Sequence, residues 1–499
     1  MRFLRIGLTG CLVAGSALVS LAQVPTRQPA AVSPANGTAE TNLPGNGQEL
    51  NLQQCIDIAL KNNISIRQSQ VQIRSTDIQL QQAKLNRLPN LNGFANQNFN
   101  AGFNVNPGTN QIVTRSVLSN NLQLTSSTTI YNGGILQNTI QQNALLLQSN
   151  EKNLEATQNN VILTVIQNYL NVVTGQEQLT IALRQSDVSR AQLERTQKLV
   201  SAGAAAESAL FDLRAQRATD QLAIVNAQSN IDLAKVALLQ SMNLFGDQPI
   251  QVTPVSIPDL NVADYTATPQ QIYEIATDTQ PDVKAAELRV RSDEKGINVA
   301  KGNYYPLLTL NAGFTSLYSN FGLQRATPDG TSQLAQQIML NGVSTTIFIE
   351  QPNFSFQNYT FTEQLRNNLN RSVGLSLQVP IFNRFQVRNR VQTAQINKQA
   401  SELQADNTRL LLRQNIENAY ANLVASGNRY QATQAQVQAL EQAFAASESR
   451  LNAGSINAVE YSIAKTNVDR ARASLVQAKY DYVFRIKILD FYQNKPLTF

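Results

Sequence analysis

The chain reads twice. Lys84–Pro89 (KLNRLP) and Lys301–Pro306 (KGNYYP) stand 217 residues apart, and the match runs back without a gap through Arg74-Ser75/Arg291-Ser292 and Ile58-Ala59/Ile275-Ala276 to Gln53-Gln54/Gln270-Gln271. Further on, Ile130-Tyr131-Asn132 matches Ile381-Phe382-Asn383 at an offset of 251, and that offset holds through Tyr169/Tyr420 to Ala202-Gly203/Ala453-Gly454. The chain is therefore two copies of one unit, the second carrying 251 − 217 = 34 extra residues in its middle. A period this long marks a duplicated module rather than a solenoid repeat, and duplication is a common way to build membrane conduits.

The N-terminus has the form of a targeting segment. Arg2 and Arg5 precede an apolar stretch from Ile6 to Leu21, and Ser20-Leu21-Ala22 offers a small-x-small cleavage site, so residues 1–22 read as a signal peptide. Leu8-Thr9-Gly10-Cys11 resembles a lipoprotein box, but too little apolar sequence precedes Cys11 and too much follows it. With Cys11 removed only Cys55 remains, which excludes an intrachain disulfide and reads as a small buried hydrophobe. Charged residues make up only 15% of the chain and are scattered without a basic block, which argues against a nucleic-acid partner. Outside the N-terminus no run of 18 apolar residues occurs, so a transmembrane helix is not available.

Proline and glycine divide the rest. Residues 23–49 form a Pro/Gly/Ala/Thr/Asn leader, expected to be disordered. The first repeat then spans 50–245, a Pro-rich linker 246–268, the second repeat 269–494 and a short tail 495–499. No proline occurs from Gly108 to Gln248 or from Ile381 to Lys495. Leu136 to about Val200 predicts one helix of roughly 100 Å at 1.5 Å per residue. Leu179, Leu193 and Val200 fall on one seven-residue frame, and Ile162, Val165, Ile166, Tyr169, Leu170 and Val173 follow 3/4 spacing, which predicts coiled-coil-like packing. Ser201–Ala204 and Asn452–Ser455 are the turns, with Gly203 and Gly454 supplying the left-handed residue that ends a helix. Return helices follow from Glu207 and from Val459.

Between the helices the period changes to two. Leu91, Gly93, Ala95, Phe99 and Phe103 alternate with Asn92, Asn96, Asn98, Asn100 and Asn104, and Leu118–Leu124 behaves alike. In the second copy Leu308, Leu310, Ala312, Phe314 and Tyr318 share one face, and Leu369, Val373, Leu375, Leu377, Val379 and Ile381 another. Strands are thus expected over about 90–106, 115–131, 306–319 and 368–382, with the extra residues as a loop in 319–368 that holds Phe354, Phe356, Tyr359 and Phe361. The fold class is α+β, each copy reading helix, strand, strand, long helix, return helix. Four strands cannot close a membrane wall alone; three chains would bring twelve.

In this order, twice, the motifs Leu85-Asn86-Arg87-Leu88-Pro89 and Gly302-Asn303-Tyr304-Tyr305-Pro306, Thr129–Gly134 and Val379–Asn383, and the Ala-Gly turns at Gly203 and Gly454 resemble the TolC-like outer-membrane efflux protein family over nearly all of Leu50–Asn494. The resemblance implies a homotrimer: a twelve-stranded β-barrel in the outer membrane of a Gram-negative bacterium, continuous with a helical tunnel across the periplasm. The 246–268 linker would match the family's equatorial region. The implied role is the exit duct of a tripartite efflux system. Its partners would be outer-membrane lipid, a periplasmic adaptor (membrane fusion) protein and an inner-membrane transporter of the RND or ABC type. The exit duct of a type I protein secretion system shares this architecture, and a coiled-coil envelope protein without a channel is the alternative of another class.

No enzyme constellation is present. His is absent from the chain, which removes the usual general base and the commonest nitrogen metal ligand, and Gly133-Gly134 is an isolated pair rather than a phosphate loop. No catalytic, cofactor or metal site is expected. The residues of interest are instead mechanical and electrostatic. In the family, acids six and nine residues after the tip glycine of the second turn face the pore; here Glu460 matches and Ile463 departs, and at the corresponding places of the first copy Ala209 departs and Asp212 matches. Glu460 and Asp212 are thus the candidate pore gate, the plainer reading of both acids being ordinary solvated helix carboxylates. Lys198 and Arg450, on the approaches to the tips, are candidate adaptor contacts or partners for acids on neighbouring helices. Glu207 reads as a favourable charge at a helix start. Phe99, Phe103, Phe314 and Tyr318 are expected to face lipid.

Overall fold

The structure is a computed structural model that describes residues 49–105, 112–114, 116–204, 206–244, 250–254, 267–320, 324–340 and 342–495. The expected signal peptide, nearly all of the leader and most of the linker lie outside these residues. The first repeat consists of β1 (Glu49–Leu50), α1 (Leu52–Asn62), α2 (Ile64–Leu85), β2 (Asn90–Asn100), the short pair β3 (Phe103–Val105) and β4 (Ile112–Thr114), β5 (Val117–Tyr131), α3 (Ile135–Ser201) and α4 (Ser208–Ser241). After β6 (Gln251–Val252), the second repeat holds α5 (Pro269–Thr279), α6 (Pro281–Gly302), β7 (Leu307–Ser319), β8 (Gln324–Leu340), β9 (Val343–Asn358), α7 (Phe361–Asn367), β10 (Asn370–Gln378), α8 (Gln386–Asn452) and α9 (Ala458–Tyr492).

The duplication holds to the residue. The pairs α1/α5, α2/α6 and α3/α8 are 11, 22 and 67 residues long in both copies. Each repeat opens on a capping box, Asn51 with Gln54 and Thr268 with Gln271. The single first helix expected in each copy is broken in two. Asn63 (ψ 128°) leaves the helix and caps α2 through Ser65, and Gln280 is held extended by Pro281. The two cores correspond too: Cys55, Ala59, Val165, Val172 and Leu238 of one recur as Ile272, Ala276, Ile416, Leu423 and Leu489 of the other. Burial raises the Cys55 thiol to about 12, as suits a packed hydrophobe. Tyr169 donates a hydrogen bond of 2.7 Å to the Thr253 carbonyl and so ties the β1–β6 pair, in which Glu49 takes part, to α3.

One antiparallel sheet runs in the order β10-β7-β5-β2. Its register collects the greasy positions of all four strands on one face: Ala95 and Phe99 oppose Leu122 and Leu118, Leu124 opposes Phe314, and Ala312 and Leu310 oppose Val373 and Leu375. Asn, Gln, Ser and Thr dominate the other face, with Phe94 and Leu317 among them, around a hollow of about 440 Å³ bordered by Asn90, Asn92, Gln123, Thr125, Asn311 and Ser372. Val379 and Ile381, expected in the last strand, lie beyond its end at Gln378, because Pro380 has no amide to give to a ladder. The extra residues of the second copy are not a loop. They form the 15-pair β8–β9 ribbon and the short α7.

Helices α2, α3, α6 and α8 pack side by side beneath the sheet, in the same order as the strands above them. Thr76 of α2 accepts from Asn150 of α3, Ser149 and Ser292 bond across α3 and α6, and Arg409 of α8 pairs with Glu287 of α6 at 2.7 Å. The midline joint is where the copies meet. Gly133 (φ +65°) turns β5 into α3, and a Cβ there would lie 2.3 Å from the Gly302 carbonyl oxygen and 2.8 Å from Tyr305 Cβ. The equivalent turn into α8 is made by Arg384 (φ 54°) and Phe385 (φ 59°), which hold the left-handed conformation without being glycines.

Gly133→Ala is therefore expected to destabilise the fold by about 1–3 kcal/mol through strain and overpacking. Arg384→Gly at the equivalent place should stabilise it by about 1 kcal/mol. Thermal unfolding of the purified variants followed by circular dichroism measures both shifts.

Candidate functional site

Both long helices end alike. In the first tip the Ala204 amide donates to the Leu199 carbonyl and the Gly203 amide to that of Val200; in the second, Ser455 donates to Arg450 and Gly454 to Leu451. These are Schellman turns with glycine at φ +71° in each. Leu193, Leu210, Leu213 and Ala458 form a small core behind them. The tips also touch, since the Arg195 guanidinium donates to the Asn452 side chain.

The predicted site residues surround these turns. Glu460 is exposed at the third position of α9, where its amide bonds to the Asn457 cap at 2.9 Å and its charge complements the helix start. Asp212 is exposed on the first turns of α4, and Glu207 is the cap residue of that helix. Lys198 and Arg450 are exposed, and their carbonyls serve the tip turns. Neither side chain enters an ion pair among the described residues. Phe99, Phe103 and Phe314 stand exposed, Phe99 and Phe314 on the apolar face of the sheet. Tyr318 is half covered, because its ring packs against Phe361 of α7 at 4.9 Å.

A buried charge cluster one to four turns behind the tips went unseen in the sequence. Lys465 of α9 is only 1% exposed. Its ammonium donates to Asp220 of α4 at 3.1 Å and to Asp469 at 2.7 Å. Asp220 also accepts from Ser189 of α3 and, at 2.9 Å, from Gln216, while Ser462 donates to the Gln216 oxygen. Three helices from both copies thus meet at Asp220, which binds Lys465 of α9 and Ser189 of α3. Burial holds the Asp469 carboxyl above the usual carboxylate range, opposed by Lys465. Burial, with Glu448, Asp469 and Asp220 nearby, raises the Tyr461 hydroxyl to about 12. In the sequence, Lys465 and Asp469 look like an ordinary solvated pair one helical turn apart. Repeat alignment does not bring Asp220 to Lys465 either, since its counterpart in the second copy is Ala471.

Among the described residues no cluster of possible metal ligands occurs, and no helix is long and apolar enough to cross a membrane. The geometry offers a wall with a polar and an apolar face, and a bundle pinned toward its far end by the ion pairs of Lys465.

Comparison with known proteins agrees with this geometry. The family described as "Outer membrane efflux protein" matches residues 55–244 and 272–485, one stretch in each repeat. The chain is 23% identical to outer membrane protein TolC of Escherichia coli (strain K12) over 444 residues, 87% of this chain and 80% of that protein. Among solved structures, CusC superposes with a TM-score of 0.71 at 17% identity, covering 89% of this chain and 92% of that one. The outer-membrane channel OprN gives 0.69 at 17%, covering 89% and 90%. The outer membrane protein VceC of Vibrio cholerae gives 0.67 at 16%, covering 89% and 94%. At these identities the structural likeness speaks for the fold.

Lys465→Met leaves two buried carboxylates without a cation and is expected to cost about 3–5 kcal/mol. Adding Asp220→Asn and Asp469→Asn should recover most of it, as read by thermal unfolding. The raised Asp469 pKa means the folded chain binds this proton more tightly than the unfolded one. Its contribution is full below the ordinary carboxylate pKa of about 4 and is lost as pH rises through the raised value. Asp469→Asn should therefore flatten the fall in stability across weakly acidic pH, relative to the unsubstituted protein.

Proposed function

This chain belongs to the outer membrane efflux protein family, and on that premise we propose that three copies close into a passive exit duct. Their sheets form a twelve-stranded barrel, and their helices a tunnel that receives substrate from an inner-membrane pump through a periplasmic adaptor. One observation carries the reading: the four-strand, four-helix array is open along both sides, and the two sides match. β2 and β10 lack an outer partner strand among the described residues. Beneath β2, Ile64, Val71, Ile78 and Leu85 recur every seven residues along α2; beneath β10, Ile396, Leu403 and Leu410 do so along α8. All seven are more than half exposed. Such seams belong against another helix. The repeat supplies the template, because α3 and β5 of the first copy already pack on α6 and β7 of the second. The same contact made by α8 and β10 on α2 and β2 of the next chain continues the ring, with every strand pair antiparallel. The apolar face of the sheet then meets lipid and the Asn/Gln/Ser/Thr face lines the duct, as backbone satisfaction in a bilayer requires.

Within that ring the tips are the gate. Glu460 recurs once per chain around the axis, where like charges favour cations, and Asp212 adds a second carboxylate per chain. The Lys465–Asp220 pair holds the two hairpins of one chain together behind them. Lys198 and Arg450 stand exposed at the same end, available to an adaptor.

Native mass spectrometry in detergent is expected to show three chains per particle for the unsubstituted protein, and Val71→Asp with Leu403→Asp should shift the mass to a single chain. A single-chain mass without substitution contradicts the reading. In planar bilayers Glu460→Ala is expected to weaken cation preference by several-fold; unchanged selectivity and conductance would remove Glu460 from the gate.

A further inference from the structure

The β8–β9 ribbon has no role in the duct described above. It leaves the sheet at the end of β7, where its root is fixed. Ser316 donates to the Leu365 carbonyl at 2.6 Å, the Asn368 amide to that of Leu317 at 2.7 Å, and Tyr318 packs on Phe361. From there 17 residues run out in β8, about 55 Å of strand at 3.3 Å per residue. The ribbon packs extensively on no other element among the described residues. A two-stranded sheet alone in water is marginal at best, so this ribbon needs a cover.

Its surface indicates what kind. Leu334 opposes Ile349, Gln336 opposes Ile347 and Ile338 opposes Thr345, which gathers Leu334, Ile338, Ile347 and Ile349 on one face. Gln333, Gln337, Thr346 and Ser344 lie on the other, interspersed with Ala335, Met339 and Phe348. Free edges are normally blunted by charge or proline. Here Pro328, Asp329, Glu350 and Pro352 blunt the ribbon as far as its middle, where Glu350 opposes Gln333, and from Thr331 to Ile349 neither a charge nor a proline occurs. The outer part is thus a bare strand template on both sides. A membrane surface is a poor match, since binding there draws on basic side chains and Arg325 at the root is the ribbon's one base. Identical ribbons suit one another: nothing in the outer part repels a copy, and β8 rising beside a neighbour's descending β9 is antiparallel.

We propose that the β8–β9 ribbon docks edge to edge on the same ribbon of neighbouring copies, with its Leu334–Ile349 face turned inward. The inference rests on the ring of chains proposed above, which roots the ribbons side by side at one end of the duct and gives them an effective concentration in the millimolar range. Three ribbons make a six-stranded tube. Eight strands leave an interior that side chains just fill, so six leave no passage. The ribbons roof the outer mouth, and solute leaves between their roots.

The test uses full-length protein with Cys55→Ala and either Ile347→Cys or Phe348→Cys, neighbouring residues on opposite faces. Oxidation with copper phenanthroline in nanodiscs should give about tenfold more disulfide-linked dimer for Ile347→Cys than for Phe348→Cys. Equal or absent cross-linking overturns the proposal, as does quenching of a bimane on Cys-substituted Ile347 by brominated lipid, which would put the ribbon in the membrane. Native mass spectrometry of the same sample separates the two levels. Three chains without cross-linking sinks the ribbon contact alone, whereas a single chain sinks the ring beneath it.

Discussion

In hydrocarbon, every backbone amide and carbonyl of a sheet must find a partner. The four strands satisfy this requirement at three internal seams and leave it open at β2 and β10. What makes those edges informative is that the same openness continues below the sheet. The helix under each edge strand carries an exposed seven-residue stripe, so hydrogen bonding above and apolar burial below ask for the same neighbour. A soluble sheet with helical appendages would have no reason to align the two.

Duplication explains how one chain meets this requirement economically. Helices of identical length in both repeats make the internal contact between copies a template for the proposed contact between chains, which would give a ring of near-equivalent joints. The joints are not identical. The internal one uses Gly133 against Gly302 at a distance that admits no side chain, whereas the outward-facing turn holds Arg384 and Phe385 in a strained left-handed conformation; in the proposed ring it would meet the Leu85 end of α2 of the next chain, where larger side chains have room. The tips differ as well. The buried lysine belongs to α9 and its partner Asp220 to α4, so the ion pair fastens two hairpins that the duplication left as separate rods.

Much of this was legible in the sequence, for physical reasons. Long proline-free stretches rich in Ala, Leu and Gln can only be helices, and the period-two runs around Leu91–Phe99 and Leu369–Leu377 gave both the strands and their greasy face. The Ala-Gly turns fell where predicted. The breaks at Asn63 and Gln280 were obscured because one residue of extended backbone hardly disturbs the apolar pattern on either side. The β8–β9 ribbon is not legible in the sequence, because an insertion has no counterpart in the other repeat to align with. The Lys465 cluster was hidden because burial of a charge depends on which helix lies opposite, and spacing along one helix cannot report that. Outer-membrane efflux membership came from motif order, repeated twice, rather than from any single residue.

The most direct measurement is disulfide mapping between the two open edges of the sheet. A panel of full-length proteins lacking Cys55 would carry one cysteine on β2 and one on β10, and would be oxidised in outer membranes and run on denaturing gels. Closure by pairing of β2 with β10 predicts covalent trimers, and no larger ladder, for the pairs in register. Single chains across the whole panel, or open-ended oligomers, would contradict it.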